Sequence, residues 1–275
     1  MKLSVDSRYK LNNGVEMPCL GLGTWKTNPG RETKDACLTA LNAGYRMIDT
    51  AAMYGNERDV GAAVRECGIP RDEIFVTTKL WNSDHGYDQA LKAFDHSIKT
   101  LDLDYVDLYL IHWPGGGKRS ETWRAFEKIL KEGKCRAIGV SNFTIRHIQE
   151  MDAYATVPPA VDQVELHPYL FQRDLIEYCH GRNMQVESYS PLTHGNMLEE
   201  PALLGIAEKY GKQVAQVLIR WGLQHGLIEI PKAAHPDHIL ANLDVFDFEL
   251  SAEDMRSLDA LSRGYRVTWN PEEIP

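Results

Sequence analysis

The sequence predicts an α/β protein that folds as a closed (β/α)8 TIM barrel. Eight short apolar runs alternate with longer segments at helical spacing, which implies parallel strands joined by right-handed crossovers. A chain of 275 residues has the size of one such barrel. The other architecture with this alternation, an open doubly wound sheet, would need a G-x-G-x-x-G loop after the first strand. The segment Gly21-Leu22-Gly23 is not followed by the third glycine, so the closed barrel is favoured.

Each element has a local sequence signal. YKLNNGVEM, with Asn13-Gly14 as its turn, predicts an N-terminal hairpin. The predicted barrel strands are CLGLG, RMID, IFVTTK, YVDLYLIH, CRAIGV, AVDQVEL, QVESYS and LIEI. The amphipathic helices between them include TKDACLTALNAG, ERDVGAAVREC, YDQALKAFDHSIKTL, SETWRAFEKILKEG and QVAQVLIRWGLQHG. ALLGIAEKYG and AEDMRSLDALS predict two extra helices. Without a linker or a repeat, we expect one domain over residues 1–275.

Composition excludes several classes of function. The net charge of -9 and the lack of a basic stripe argue against nucleic-acid binding. No apolar segment has the length of a signal peptide or a membrane span, so we expect a cytoplasmic protein without a membrane partner. The five cysteines are scattered without a C-x-x-C pair, which predicts free thiols. His235 and His238 alone are a weak signal for a metal, and none is predicted.

Three consecutive predicted strands end in ionisable side chains. The second ends in Asp49, the third in Lys79 and the fourth in His112, and Tyr54 follows on the loop after the second strand. The carboxyl ends of barrel strands form the active site in proteins of this fold. Each residue alone has a common structural explanation, such as a helix N-cap for an Asp. On adjacent strands, the four together indicate a catalytic site.

These four residue types suit proton transfer to a carbonyl oxygen. Tyrosine has a pKa near 10 and is a weak acid at neutral pH. An ammonium at about 4 Å, with an effective dielectric near 20, would favour the phenolate by roughly 4 kcal/mol, or about three pKa units. We therefore expect Asp49 to hold the charge of Lys79, Lys79 to lower the pKa of Tyr54, and His112 to orient the carbonyl.

Reduction of a carbonyl also needs a hydride, which no side chain supplies. A nicotinamide coenzyme would have to lie across the same strand ends. Ser141, Asn142 and Gln163 could hydrogen-bond its carboxamide, and Tyr189 offers a flat face for stacking. Two other hypotheses remain open at this point. Lys79 could form a Schiff base as in a lyase, or the chain could be a non-catalytic nicotinamide-binding regulatory barrel.

Motifs along nearly the whole chain resemble those of the aldo-keto reductase superfamily, and most of all its prokaryotic diketogluconate reductase group. They are DTAAMYGNE (49–57), TTKLW (77–81), DLYLIHWP (107–114), GVSNF (139–143), DQVELHP (162–168), SYSPL (188–192) and IPK (230–232). The resemblance implies a barrel that reduces aldehydes and ketones with NADPH and a catalytic tetrad of Asp49, Tyr54, Lys79 and His112. It also implies that coenzyme contacts come from Gly23, Thr24, Trp25, Ser141, Asn142, Gln163, Tyr189, Ser190 and Leu192.

The resemblance is incomplete where it implies a grip on the adenosine 2'-phosphate of the coenzyme. Lys232 is retained, but Ala233 and His238 stand where the family usually has a serine and an arginine, and Ala241 replaces an acid before Asn242. A planar, bidentate phosphate contact is therefore missing. We expect NADPH as the coenzyme, held by Lys232, His238 and Asn242, with NADH possible.

The expected substrate is a small carbonyl compound. By the resemblance, Trp25, Trp81 and Trp113 border the substrate pocket, and Arg266 or Trp269 could reach it. Such a rim suits small aldehydes, α-dicarbonyls or keto-sugars, which would be reduced to alcohols with Tyr54 as general acid. We expect the enzyme to be a monomer.

Overall fold

A computed structural model describes residues 3–275 and confirms the barrel. Eight parallel strands form one sheet in the order β10-β9-β8-β7-β6-β5-β4-β3. Bridges from Leu20 to Glu229 and from Gly23 to Lys232 join its two edges. The barrel strands are β3 (Leu22–Gly23), β4 (Met47–Asp49), β5 (Phe75–Leu80), β6 (Val106–Ile111), β7 (Cys135–Ser141), β8 (Val161–Glu165), β9 (Gln185–Tyr189) and β10 (Ile228–Glu229).

The predicted hairpin precedes the barrel as an antiparallel pair, β1 (Arg8–Lys10) and β2 (Glu16–Pro18). Leu11 and Met17 from this hairpin pack inside the barrel with Met47, Phe75 and Leu108. These side chains form an apolar floor at the amino ends of the strands. The hairpin therefore closes one end of the barrel and leaves the carboxyl ends as the open end.

Ten helices surround the sheet within the described residues. They are α1 (Arg31–Ala43), α2 (Glu57–Glu66), α3 (Tyr87–Leu101), α4 (Arg119–Lys131), α5 (Ile145–Met151), α6 (Arg173–Gly181), α7 (Pro201–Tyr210), α8 (Val214–Gln224), α9 (Pro236–Leu243) and α10 (Ala252–Asp259). The two predicted extra helices are α7 and α10. Three helices, α5, α6 and α9, have no counterpart among the segments named from the sequence. Of these, α9 begins at Pro236, where proline's fixed φ favours the first turn. In residues 3–275, no helix is both long and apolar enough to cross a bilayer.

Strand register aligns polar side chains inside the open end. Gly23 is opposite Asp49 across β3 and β4. Ser141 is opposite Gln163, and Gln163 is opposite Glu187, across β7, β8 and β9. Residues opposite one another on neighbouring strands point to the same face. The register therefore brings amide, hydroxyl and carboxyl groups from separate strands into one interior layer.

Candidate active site

A cavity of about 780 Å³ opens at the carboxyl ends of the strands. Polar groups of the interior layer form its base, and aromatic side chains form much of its wall. The predicted site residues that line it are Gly23, Trp25, Asp49, Tyr54, His112, Trp113, Ser141, Asn142, Gln163, Tyr189, Ser190, Leu192 and Lys232. Residues predicted from separate strand ends thus lie around one cavity.

The ammonium of Lys79 is fully buried beneath the cavity. Its Nζ donates to both carboxylate oxygens of Asp49, at 2.6 and 2.8 Å, and to the carbonyl oxygen of Thr50 at 2.9 Å. Burial raises the pKa of Asp49, but Lys79 and the side chain of Gln163 stabilise its ionised form. A buried charge needs such partners because it has lost its hydration.

Tyr54 lies on a 3₁₀ turn after β4, and its hydroxyl is 3.4 Å from Lys79 Nζ. The predicted direction of its pKa shift is wrong. Burial raises the pKa of Tyr54 well above 10, and the carboxyl groups of Asp49 and Glu187 raise it further. Lys79 does not outweigh these effects because Asp49, at a shorter distance, already balances its charge. Tyr54 therefore holds its proton at neutral pH, as a general acid must.

His112 follows β6 directly and presents the edge of its ring to Tyr54, with ring centroids 5.6 Å apart. Trp81 contacts the same imidazole at 5.1 Å. Burial, and to a smaller extent the charge of Lys79, lower the pKa of His112 well below 6.5. The neutral imidazole can donate a single N–H, which suits orientation of a carbonyl oxygen beside Tyr54.

The four residues predicted to hold a nicotinamide are connected by hydrogen bonds. Asn142 adopts a left-handed backbone conformation and donates to the backbone oxygen of His112 and to Ser141 Oγ. Its Oδ1 accepts from Tyr189 Oη at 2.7 Å. Gln163 Nε2 donates to Asp49 Oδ2 at 2.9 Å. Both N–H groups of Asn142 are used in this network, so its remaining capacity at the cavity is the second lone pair of Oδ1, and its contact with a carboxamide stays a prediction.

Some predicted residues do not line the cavity. Thr24 is buried and donates to the backbone oxygen of Asp49 at 2.8 Å, so it supports the end of β4. Trp81 is not part of the lining, although its ring lies beside those of His112 and Trp269, with centroids 5.1 and 6.4 Å away. His238 and Asn242 lie on α9, the first exposed and the second buried, and neither is part of the lining. Lys232 is the one predicted phosphate contact that reaches the cavity.

The sequence analysis missed several residues of the site. Glu187, on β9, is a buried carboxyl that accepts from Gln163 Nε2 at 2.7 Å. Lys26, Met53 and His194 line the cavity, and the rings of His194 and Trp25 are 5.1 Å apart. The available signal for Glu187 was a carboxyl group in the middle of a predicted barrel strand, QVESYS. The others lie in loops without a distinctive pattern. Among the described residues, no group of three or more His, Cys, Asp or Glu could hold a metal ion.

The C-terminal segment forms one wall of the cavity, and it includes both Arg266 and Trp269. Glu165 accepts hydrogen bonds from the backbone N–H groups of Val267 and Thr268, at 2.6 and 3.0 Å. The ring of Trp269 lies 5.4 Å from that of Trp113, although 63% of its surface is exposed. A carboxylate on a barrel strand therefore anchors a loop distant in sequence across the substrate end of the cavity.

Comparison with known proteins identifies the family of this chain. A family model described as "Aldo/keto reductase family" matches residues 19–263. Glyoxal reductase from Bacillus subtilis is 51% identical over 100% of this chain and 99% of its own length. The 9,11-endoperoxide prostaglandin H2 reductase of Trypanosoma cruzi is 48% identical over 96% of this chain and 94% of its own.

Solved structures show the same fold. An aldo-keto reductase from a Medee basin deep-sea metagenome library superposes with a TM-score of 0.94 at 44% identity, covering 98% of this chain and all of that one. A Bombyx mori aldo-keto reductase, solved in complex with NADP, gives a TM-score of 0.92 at 34% identity, covering 99% of this chain and 98% of that one. The chain therefore belongs to the aldo/keto reductase family, and it is an oxidoreductase.

Proposed function

We propose that the protein reduces small aldehydes, α-dicarbonyls or keto-sugars to alcohols with NADPH, with Tyr54 as the general acid. One observation carries the proposal. The protonated hydroxyl of Tyr54 lies at the cavity, 3.4 Å from the Nζ of a lysine that is itself paired with Asp49. This arrangement offers a proton to a bound carbonyl and a cation to the phenolate left behind.

The residues at the base of the cavity fit a nicotinamide coenzyme, which when bound would supply the hydride. Both N–H groups of Gln163 are used by carboxyl groups, so Oε1 is its remaining polar atom and can accept from a carboxamide. Tyr189 offers an aromatic face beside it, and Lys232 lies at the lining as a phosphate contact. The NADP complex of the Bombyx mori relative supports this assignment. With Ala233 and His238 at the phosphate positions, we propose a weakened preference for NADPH over NADH.

Each polar group has a separate task in the reaction. The neutral His112 donates an N–H to the carbonyl oxygen and holds it beside Tyr54. Tyr54 gives its proton to that oxygen as negative charge develops there. Lys79 then stabilises the phenolate, and Asp49 keeps Lys79 charged and in place. By stabilising the phenolate, Lys79 keeps the pKa of Tyr54 lower than it would be without the ammonium, although burial and the two carboxyl groups hold that pKa above 10.

Apolar and aromatic side chains set the size of the proposed substrate. Trp25, Met53, Trp113 and Trp269 surround the cavity near Tyr54 and suit compact molecules. The name of the Bacillus subtilis relative, glyoxal reductase, favours an α-dicarbonyl. The narrower likeness to diketogluconate reductases remains a prediction, as do the monomeric state, the cytoplasmic location and the single domain over residues 1–275.

The two alternative functions lack support. A lysine that forms a Schiff base must be neutral and open to the substrate. Lys79 is instead fully buried and donates to Asp49, Thr50 and Tyr54. A non-catalytic barrel would not need the intact set of Tyr54, Lys79, Asp49 and His112.

The test is NADPH oxidation, followed at 340 nm, with glyoxal, small aldehydes and a keto-sugar as substrates. We expect turnover with at least one class, and a higher kcat/KM with NADPH than with NADH. Tyr54→Phe, which keeps the ring and removes the proton, should lower kcat by roughly 10²- to 10⁴-fold. Wild-type turnover in this variant would contradict the assignment of the general acid.

A further inference from the structure

Glu187 is a buried carboxyl group without a task in the reaction described above. It lies on β9 and is fully buried. Its Oε2 accepts from Gln163 Nε2 at 2.7 Å, and its Oε1 has no hydrogen-bond partner in the described part of the chain. A buried carboxyl is costly unless its environment compensates, so its presence in a barrel interior calls for an explanation.

Glu187 determines how the side chain of Gln163 is oriented. The amide nitrogen of Gln163 has two hydrogens, which point to Glu187 Oε2 and to Asp49 Oδ2. A flipped amide would place its carbonyl oxygen against the charged carboxylate of Asp49, which is unfavourable, and would take the N–H donor away from Glu187 Oε2. The two carboxyl groups therefore direct Oε1 of Gln163 away from themselves, as an acceptor at the cavity.

The charges around Glu187 favour its protonated form. Two charged groups change the pKa of Glu187: Asp49 on β4 raises it, and Lys79 on β5 lowers it. Glu187 in turn raises the pKa of Tyr54, on the turn after β4, and of Glu229, on β10. Asp49 and Lys79 already form a neutral pair. Burial, followed by the charge of Asp49, raises the pKa of Glu187 to about 8. Above that pH the interior would hold one unbalanced negative charge close to Tyr54.

We propose that Glu187 is a positioning residue with two effects: it orients the amide of Gln163 toward the coenzyme, and its proton keeps the charge around Tyr54 balanced. The proposal rests on the proposed function, since it assigns a role beside the same catalytic tyrosine. It explains why a side chain with an acceptor oxygen occupies the interior of this strand. It also predicts that ionisation of Glu187 makes Tyr54 a weaker acid.

Two substitutions separate the two effects. Glu187→Gln keeps an oxygen that can accept from Gln163 but cannot ionise. Glu187→Met has similar length and removes both the acceptor and the charge. Glu229→Gln is the matched control, because Glu229 is an equally buried carboxyl on the neighbouring strand. The side chain of Glu229 points out of the barrel toward α8. A Cβ atom added to Gly222 of α8 would lie 1.6 Å from Glu229 Oε1.

The first measurement is coenzyme affinity, titrated by quenching of tryptophan fluorescence with NADPH. We expect Glu187→Met to raise Kd about tenfold, the effect of losing one hydrogen bond made by a buried amide. Glu187→Gln and Glu229→Gln should bind NADPH within about twofold of wild type. An unchanged Kd in Glu187→Met would overturn the orienting role.

The second measurement is the pH profile of kcat/KM for reduction. Wild-type activity should fall as pH rises through about 8, because ionised Glu187 disfavours release of the proton from Tyr54 as a phenolate. In Glu187→Gln this fall should shift to higher pH, whereas Glu229→Gln should keep the wild-type profile. The same inflection in wild type and Glu187→Gln would overturn the electrostatic role.

The third measurement is the pH dependence of Tm. It tests the protonation of Glu187 without requiring that the enzyme reduce a carbonyl compound. Between about pH 4.5 and 8, the folded protein keeps a proton on Glu187 that the unfolded chain releases, so wild-type stability should fall as pH rises through this range. Glu187→Gln should lack this part of the slope in Tm, and an unchanged slope would count against the proposal. If NADPH binds as predicted without any carbonyl reduction, the proposed function fails while the orienting role stands.

Discussion

Two buried carboxylates pair with cations in different regions of the barrel. Near the start of β6, Asp107 accepts from Arg71 at 2.8 Å, from Arg136 at 2.7 Å and from the backbone N–H of Val76 at 2.9 Å. At the open end, Asp49 accepts from Lys79 and Gln163 beside Tyr54 and Glu187. Both guanidinium groups of the first cluster remain partly hydrated, whereas the ammonium of the second is fully buried.

The difference between the clusters separates a structural ion pair from a reactive one. Asp107 has partners on both oxygens and does not line the cavity at the open end, so its charge fastens β6 to β5 and β7. Asp49 has a cavity above it, a tyrosine that can lose a proton and a second carboxyl group nearby. An extra ionisable neighbour and access for a ligand, rather than the ion pair itself, distinguish the cluster that we propose to be catalytic.

The largest difference between the two clusters is expected when the cation of each, Lys79 or Arg71, is replaced and kcat/KM is measured. Lys79→Met removes the charge that stabilises the Tyr54 phenolate, so kcat/KM should fall by about 10³-fold, within the range for loss of acid–base catalysis. Arg71→Met, the matched change in the other cluster, should leave kcat/KM of the folded enzyme within about twofold of wild type. Steady-state kinetics on both variants, with folding checked by circular dichroism, tests this. Similar losses of kcat/KM in the two variants would contradict the claim that only the Asp49 cluster takes part in the reaction.

A smaller effect is expected for the structural carboxylate. Asp107→Ala leaves Val76 N–H without an acceptor and two guanidinium groups without their anion. Breaking a buried pair costs about 3–5 kcal/mol, and we expect about 3 because Arg71 and Arg136 keep part of their hydration. Urea denaturation measures the loss, and NADPH affinity should not change. A stability equal to wild type would show that Asp107 contributes no more than an exposed ion pair.

The smallest effect concerns Glu165, a third buried carboxylate, whose partners lie in a loop. Although burial favours its protonated form, hydrogen bonds from His167, Thr268 and Val267 together lower the pKa of Glu165. Its contribution is therefore present above the ordinary pKa of a glutamate and is lost as pH falls below it. Glu165→Gln should raise KM by about threefold with little change in kcat, because the C-terminal wall loosens.

Hydrogen exchange is the direct readout of that wall. The amides of Val267 and Thr268 should exchange faster in Glu165→Gln than in wild type at pH 7, while amides in β6 should not change. Equal protection of these two amides in both proteins would mean that Glu165 does not anchor the segment. Glu165 would then have neither the structural role of Asp107 nor a role at the cavity.

Much of the site was predictable because its signals are local. Asp49, Lys79 and His112 each interrupt or end an apolar run, and all parallel strands of a barrel present these ends at one face. The likeness of the motifs added Gly23, Thr24, Ser190, Leu192 and Lys232 to the residues that the strand ends had indicated. The phosphate contacts on α9 were less predictable, since His238 and Asn242 lie outside the cavity lining.

Other features depended on distances that no motif contains. Tyr54 was expected to have a lowered pKa because Asp49 was considered only as the partner of Lys79, without its own effect on the tyrosine. Its actual environment includes two carboxyl groups, and one of them, Glu187, comes from a strand more than a hundred residues later. The position of the C-terminal segment could not be predicted with any mechanism, because a loop has no periodic pattern of apolar residues that would locate it.

The order of residues along this chain was enough to specify the alternation of strands and helices, the acid, base and imidazole at successive strand ends, and the family. The periodicity of a strand and the residue at its end are local properties, so they can be read directly from the sequence. Three-dimensional packing decided which buried glutamate, Glu187 or Glu229, faces the reactive tyrosine, because barrel strands are buried on both faces and their sequences do not distinguish inside from outside.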